Sequence, residues 1–202
     1  MRFLLVLAFL LATPAAVAAE PTVAAEPTLE QMRAQALELV NRDRRKRGRG
    51  PLKPDPTLEA ASQEHAEDMA RRRYFNHKGK DGRRAHRRFL DRGGSRRVTH
   101  GENLAGCFGC PPVDRARIKR LHRNLMRSRD HKVNILRREF TRFGYGLARK
   151  RENGKWRIYA VQTFSSEPPP PGADPMTIGA RGKVVRKVRR VRKKRRWNLF
   201  GR

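Results

Sequence analysis

Apolar residues recur at helical spacing soon after the start of the chain. Thr28 followed by Gln31 is typical of a capping box at a helix start. The apolar positions that follow at this spacing are Leu29, Met32, Ala36, Leu39 and Val40. Asp55 with Pro56 behind it predicts the start of a second helix. We therefore expect two amphipathic helices in the first part of the folded region.

The same spacing returns after residue 112. Residues 113–127 predict a third helix with Ile118, Leu121 and Leu125 on one face. Ser128 can cap a short helix that follows, with His131 in its first turn.

Beyond residue 142 the spacing of bulky apolar residues changes from that of a helix to that of a strand. Bulky residues alternate with small ones in the order Phe143, Gly144, Tyr145, Gly146, Leu147 and Ala148. This pattern predicts a strand with one bulky face and one face that a helix can approach closely. Asn153-Gly154 predicts a hairpin turn, and residues 156–164 predict the returning strand. Helices followed by an antiparallel hairpin indicate an α+β domain.

The two ends of the chain differ in composition from its middle. A basic start, a short apolar run and small residues before Glu20 are typical of a secretory signal peptide over residues 1–19. That run is shorter than the about 20 apolar residues that span a bilayer. We interpret residues 20–28 as a linker, 29–166 as the folded domain, 167–180 as a proline-rich spacer and 181–202 as a basic tail, either disordered or amphipathic. The predicted protein is secreted, to the periplasm or the extracellular space.

Positive charge is spread over the whole chain. The net charge is +30, and removing the twelve Lys and Arg of residues 181–202 still leaves +18. Such a surface attracts polyanions, which include lipid headgroups, lipopolysaccharide, acidic glycans and, non-specifically, nucleic acid. A basic surface that is merely solvated is the alternative. In the tail, the residues predicted to contact polyanions are Arg186, Lys187, Arg189, Arg190, Arg192, Lys193, Lys194, Arg195 and Arg196.

Four short blocks resemble a known family. They are Tyr74-Phe75-Asn76-His77, residues 101–105 (GENLA), residues 128–136 (SRDHKVNIL) and residues 143–148 (FGYGLA) with their continuation to residue 164. In this order they resemble the CAP superfamily of cysteine-rich secretory proteins, antigen 5 and pathogenesis-related proteins, in particular its bacterial SCP-like branch. The resemblance covers roughly residues 29–166. It implies an α-β-α sandwich with a small antiparallel sheet between helices.

The resemblance also places three distant residues in one cleft. His77, Glu102 and His131 match two histidines and one acid of the family's polar tetrad, whereas residues 125–128 hold no counterpart of the second acid. Two imidazoles and a carboxylate are the ligand set of an open site for Zn²⁺ or another divalent cation, whose bound water could act as a nucleophile. The alternative is a hydrogen-bonded cluster that ties the sheet to two helices.

The only cysteines of the chain are Cys107 and Cys110. In an exported protein we expect a local disulfide between them. A structural zinc site normally takes four ligands, and a thioredoxin-like site needs a helix start that Pro111 and Pro112 argue against.

Other polar residues have simpler interpretations. Asn103 and Asn134 are expected to bond to backbone in tight turns, and His65 on an apolar helical face is expected to be a core histidine. Arg88 either bridges its loop to the core or is solvated. The histidines expected at the surface are His86, His122 and His100, the last within reach of the cleft rim.

Three functions are compatible with these features. The first is a secreted binding module whose cleft takes a small or lipidic ligand, with or without a metal, and whose tail holds it on an anionic surface. The second is a metal-dependent hydrolase, a protease or nuclease, that uses His77, Glu102 and His131. The third is an electrostatic surface-binding or antimicrobial factor that acts through residues 181–202. Whether the protein is an enzyme stays open at this level.

Overall fold

The structure is a computed structural model that describes residues 26–168. The elements in this range are α1 (Leu29–Arg45), β1 (Lys53–Pro54), α2 (Pro56–Arg72), α3 (Ala85–Asp91), β2 (His100–Cys110), α4 (Arg115–Arg127), α5 (Arg129–Leu136), β3 (Arg142–Glu152) and β4 (Lys155–Ser165). The predicted signal peptide, most of the linker and spacer, and the basic tail lie outside the described residues.

The strands form one sheet in the order β1-β3-β4-β2. β3 and β4 are antiparallel and are joined by Asn153 and Gly154, whose positive φ angles suit a two-residue hairpin turn. β2 runs antiparallel to β4 on its other side, and the two-residue β1 lies parallel to β3. The predicted hairpin is confirmed, while β1 was not predicted. β2 is an edge strand of this sheet, because β4 is its only strand neighbour between residues 26 and 168.

Two glycines of β3 determine how closely α2 packs on the sheet. A Cβ atom added to Gly144 would lie 2.3 Å from the carbonyl carbon of Leu58. One added to Gly146 would lie 2.3 Å from the carbonyl carbon of Ser62. Both distances are far shorter than a carbon–carbon contact of about 3.5–4.0 Å, so the backbone of α2 lies directly on β3. The close approach predicted from the alternating glycines is confirmed.

Helices cover both faces of the sheet. On the face of α2, a small apolar core contains Met69, Leu104, Tyr159 and Val161. On the opposite face, α1, α4 and α5 enclose a larger core, in which the rings of Phe140, Phe143 and Phe164 pack together. Side chains alternate between the two cores along each strand, as the pleat requires. The α+β class and the α-β-α sandwich are confirmed.

The first two helix starts are also confirmed. The Thr28 hydroxyl accepts from the backbone N–H of Gln31 at 3.2 Å, and Oε1 of Gln31 accepts from the backbone N–H of Thr28 at 2.9 Å. Oδ1 of Asp55 accepts from the backbone N–H of Leu58 at 2.9 Å, with Pro56 at the first helical position. Each bond satisfies a backbone N–H that the helix itself leaves unpaired.

Two local features differ from the prediction. Ser128 is the N-cap residue of α5, but its hydroxyl makes no capping bond to that helix. It also ends α4, where its N–H donates to the carbonyl oxygens of Asn124 and Leu125. α3 was not predicted, since it is only seven residues long and no side chain caps it. Within residues 26–168, no helix combines the length and the apolar character needed to cross a membrane.

Candidate functional site

The carboxylate of Glu102 lies at the centre of a polar cluster at the start of β2. The side chains of Glu102 and Arg88 are 4 % and 3 % exposed, and Nη2 of Arg88 donates to Oε2 of Glu102 at 2.7 Å. A buried charge is costly unless it is paired and hydrogen-bonded, so each of these groups requires the other. Arg88 therefore bridges α3 to the sheet, which is the first of its two predicted roles.

His77 contacts the other oxygen of the same carboxylate. Nδ1 of His77 donates to Oε1 of Glu102 at 2.8 Å, so Nε2 takes no part in this bond. The His77 side chain is 48 % exposed, so its ring has contact with solvent. Arg88 also donates to the carbonyl oxygen of His77 at 3.3 Å and to that of Arg83 at 2.9 Å. These bonds fix the loop that presents the His77 ring.

Opposing effects act on the pKa of Glu102. Burial is the largest and opposes ionisation, but the hydrogen bond from His77 and the positive charge of Arg88 favour it. Together these groups hold the pKa of Glu102 below its usual range, so the side chain is a carboxylate at neutral pH. A carboxylate of lowered pKa with both oxygens engaged is a poor general base.

α5 brings His131 to the same cleft. The His131 ring has no hydrogen bond or ion pair with another described residue. Burial, and then the nearby His77, lower the pKa of His131, so this imidazole is neutral at neutral pH. Nδ2 of Asn103 donates to the carbonyl oxygen of His131 at 3.1 Å, and Nδ2 of Asn134 donates to that of Glu102 at 3.2 Å. The two asparagines bond to backbone as predicted, but they join a strand to a helix instead of closing tight turns.

This geometry bears on the metal site that the sequence predicts. Within residues 26–168, no three His, Cys, Asp or Glu side chains lie close enough together to hold a metal ion. The charge of Arg88 beside Glu102 opposes a divalent cation at that carboxylate. Nε2 of His77 and the ring of His131 then offer two ligands, one fewer than the three protein ligands of an open zinc site. The residues fit a hydrogen-bonded cluster better than a zinc site, and zinc binding stays a prediction.

Two further histidines are buried in the domain. Nε2 of His65 donates to the carbonyl oxygen of Asn76 at 3.0 Å, so the predicted core histidine is confirmed. His122 is also buried, and its Nε2 donates to Oδ2 of Asp43 at 2.8 Å. The surface position predicted for His122 is wrong, because α4 packs against α1 and Asp43 supplies a partner distant in sequence.

His100 lies beside the cluster, at the first position of β2. Its ring centroid is 5.4 Å from that of Phe89 and 5.7 Å from that of His86, which is exposed as predicted. Burial lowers the pKa of His100 to about 4, opposed by the charge of Glu102 and assisted by His86 and Arg88. Its Nε2 is buried without a hydrogen-bond partner among the described residues. His100 is thus partly buried against α3, and its predicted reach to the cleft rim stays a prediction.

Cys107 and Cys110 are free thiols in the structure. Both lie in β2, and Sγ of Cys110 donates to the carbonyl oxygen of Cys107 at 3.4 Å. Burial, together with the neighbouring Cys107, raises the pKa of the Cys110 thiol to about 11, so this thiol is unreactive at neutral pH. Cys107 is opposite Ile158 and Cys110 is opposite Trp156 of β4, with a shift of register between Phe108 and Cys110. The disulfide between the two cysteines stays a prediction.

Arg88 is the site residue that sequence analysis left undecided. Lys and Arg make up 49 of the 202 residues, so one further arginine is no signal by itself. The adjacent Phe89 and Leu90 indicate that a buried element lies here, but they do not identify its charged partner. The predicted polyanion-binding residues 186–196 lie outside the described residues.

Comparison with known proteins shows what this fold is similar to. A sequence model of the cysteine-rich secretory protein (CAP) family matches residues 37–164. An extracellular protein containing an SCP domain from Bacillus anthracis has a TM-score of 0.54 and 21 % identity, and the match covers 71 % of this chain but only 45 % of that one. An outer surface protein from Borrelia burgdorferi has a TM-score of 0.52 and 19 % identity, covering 69 % of this chain and 95 % of that one. A search of curated proteins found no match.

Proposed function

Because the chain belongs to the cysteine-rich secretory protein (CAP) family, we propose that it is an exported binding module of the cell envelope or extracellular space, and not a hydrolase. Two observations support the location. The similar structures are, by their names, an extracellular protein and an outer surface protein. In addition, residues 1–19 have the pattern of a signal peptide. Since a fold does not imply a reaction, the choice between binding and catalysis rests on the residues of the cleft.

The engagement of Glu102 is the observation that favours binding. In the hydrolase predicted from the sequence, this carboxylate would take a proton from water or hold a metal ion. Oε1 instead accepts from His77 and Oε2 accepts from Arg88. The buried ion pair also resists any movement that would release an oxygen, because separation leaves two unpaired charges. The cleft is therefore a fixed surface.

The exposed part of the cleft determines the class of ligand. Nε2 of His77 is not engaged by Glu102, and the neutral ring of His131 has no partner among the described residues. A small molecule that carries a hydroxyl or amide group, including the polar end of a lipid, complements two imidazoles. The basic tail, including residues 186–196, then holds the protein on an anionic surface.

Calorimetric titration with ZnCl₂ and a hydrolysis assay separate the two functions. We expect the full-length protein to show no stoichiometric zinc binding that depends on His77 and His131, and no cleavage of casein or plasmid DNA. His77→Ala and His131→Ala are the test variants, and His86→Ala, which removes an exposed histidine, is the matched control. Cleavage that is lost in Glu102→Gln and in the presence of chelator would contradict the proposal and establish a metal-dependent hydrolase.

A further inference from the structure

A second concave surface surrounds α5 and shares no lining residue with the cleft cluster. It has a volume of about 630 Å³, which lies in the range of small-molecule sites. Its basic lining residues are Arg49, Arg127, Arg129, Lys132, Arg137 and Arg138, and no acidic residue lines it. We call this surface, together with Val133 and Leu136 at its base, the α5 groove.

The positive charges of the α5 groove are largely uncompensated. Arg137 forms an ion pair with Glu139 at 3.7 Å, but the other five basic residues form none with any residue between 26 and 168. Nε of Arg49 is also buried without a hydrogen-bond acceptor in this part of the chain. Arg83, by contrast, forms ion pairs with Glu64, Asp81 and Asp91. Like charges held close together repel one another, and a bound anion relieves that repulsion.

The base of the α5 groove is apolar. Val133 is 53 % exposed and is, with Phe75 and Phe108, one of the three exposed large apolar side chains between residues 26 and 168. Leu136 lies three residues further on the same side of α5 and packs against the larger core. An aliphatic strip surrounded by cations matches an amphiphile with an anionic head and an acyl chain. Nucleic acid or an acidic glycan would use the cations but not the strip.

A buried arginine holds the walls of the α5 groove in place. The guanidinium of Arg44 is almost completely buried and donates four hydrogen bonds of 2.7–3.0 Å. The acceptors are the carbonyl oxygens of Gly50, Ile135, Arg137 and Phe140. Arg44 thus joins the segment next to Arg49 to the segment that contains Arg137 and Arg138. The spacing of these cations is therefore set by the fold.

We propose that the α5 groove binds the phosphate of an anionic lipid headgroup, with Val133 and Leu136 against the beginning of its acyl chains. The inference rests on the proposed function only in that the protein must reach a lipid surface. It adds a specific contact on the folded domain to the general attraction of the basic tail. Charge complementarity and the apolar strip are the two observations that select this ligand.

Vesicle flotation of the full-length protein tests this site. The vesicles contain phosphatidylcholine alone or mixed with phosphatidylglycerol. The test variant is Arg129→Glu with Lys132→Glu, and the control is Lys119→Glu with Lys155→Glu, which makes the same charge change at exposed positions outside the groove. A basic residue near an anionic membrane contributes about fivefold in affinity, so we expect the test variant to bind on the order of thirtyfold more weakly. The control should lose only a few-fold.

Several outcomes would overturn the inference. If both double variants lost the same amount of vesicle affinity, with unchanged melting temperatures, the binding would depend only on the overall positive charge and not on the α5 groove. A short DNA duplex that binds with the same dependence on Lys132 and displaces the protein from vesicles would identify a polyanion site without lipid preference. Val133→Ser should weaken binding to vesicles but not to the duplex, and an unchanged vesicle affinity would remove the role of the strip. If the wild type did not bind phosphatidylglycerol vesicles at all, surface attachment itself, and with it that part of the proposed function, would fail.

Discussion

The interface between α2 and β3 and the cleft beside β2 place helices against the same sheet by opposite means. At α2, contact depends on the absence of side chains at Gly144 and Gly146, so backbone meets backbone. At the cleft, contact depends on charged groups, because the buried carboxylate of Glu102 accepts hydrogen bonds from Arg88 and His77. The first interface tolerates no added atom, whereas the second tolerates no missing partner.

This difference explains why the cleft is the candidate site. An apolar interface is stabilised by every contact it makes, whereas a buried ion pair often contributes no more than apolar residues of the same volume would. Proteins tend to depart from the simplest packing at functional sites. The exposed His77 ring, held by buried Arg88, is such a departure.

Removal of Arg88 should have the largest effect. Arg88→Met leaves Glu102 buried with only the hydrogen bond from His77, and we expect a loss of about 3–5 kcal/mol in the free energy of unfolding. Urea denaturation at neutral pH measures this loss. Arg87→Met is the control, because Arg87 is 61 % exposed and pairs with Asp91 on the surface, where a pair contributes less than about 1 kcal/mol. Similar losses in both variants would show that the buried pair has no special role.

A methyl group on β3 tests the other interface. Gly146→Ala would place Cβ 2.3 Å from the backbone of Ser62, so α2 must move or the strand must bend. We expect a loss of about 3 kcal/mol, the upper part of the range for overpacked cores. Gly50→Ala is the matched control, since a Cβ atom added there would have nothing within 4 Å and the φ of Gly50 is not positive. A thermal melt of Gly146→Ala that equals that of Gly50→Ala would refute the close approach of α2.

The pH dependence of stability tests the polar region near β2, and we expect a smaller effect there than from the two substitutions above. The pKa of His100 is about 4 in the folded protein, below its ordinary value of about 6.5. Between these values the unfolded chain binds a proton that the folded protein does not, so stability falls as pH falls from about 6.5 to about 4. Because the ring has partial contact with solvent, we expect His100 to account for on the order of 2 kcal/mol of this fall.

His100→Phe isolates that contribution. The variant retains a ring against Phe89 but cannot bind a proton, so its stability should decline less steeply over the same pH interval. Unfolding midpoints in urea at several pH values provide the comparison. The pKa of Glu102 is also lowered, and its contribution to stability is lost at lower pH in both proteins. Identical slopes between about pH 6.5 and pH 4 would assign the decline to other groups.

Features encoded by neighbouring residues could be predicted from the sequence. The capping box of Thr28 and Gln31, the hairpin at Asn153 and the glycine face of β3 all depend on residues within a few positions of each other. The membership of His77, Glu102 and His131 in one cleft was predicted from motif resemblance alone. The structure places the first two in contact and the third nearby.

Features that depend on distant partners could not be predicted in this way. Arg88 and Glu102 are separated by fourteen positions, and His122 and Asp43 by 79. In a chain so rich in arginine, sequence gives no reason to prefer one cation over another as the partner of a carboxylate.

The sequence by itself determined α1, α2, α4 and α5, the hairpin, the α+β class and the strongly basic character of the chain, because local spacing and composition suffice for these. Only the tertiary structure decided which charges are buried together, that Glu102 has no free oxygen, and that basic residues of three separate segments surround Val133 in one groove. The physical reason is that the cost of burying a charge depends on what surrounds it. For the charges of this protein, folding alone establishes those surroundings.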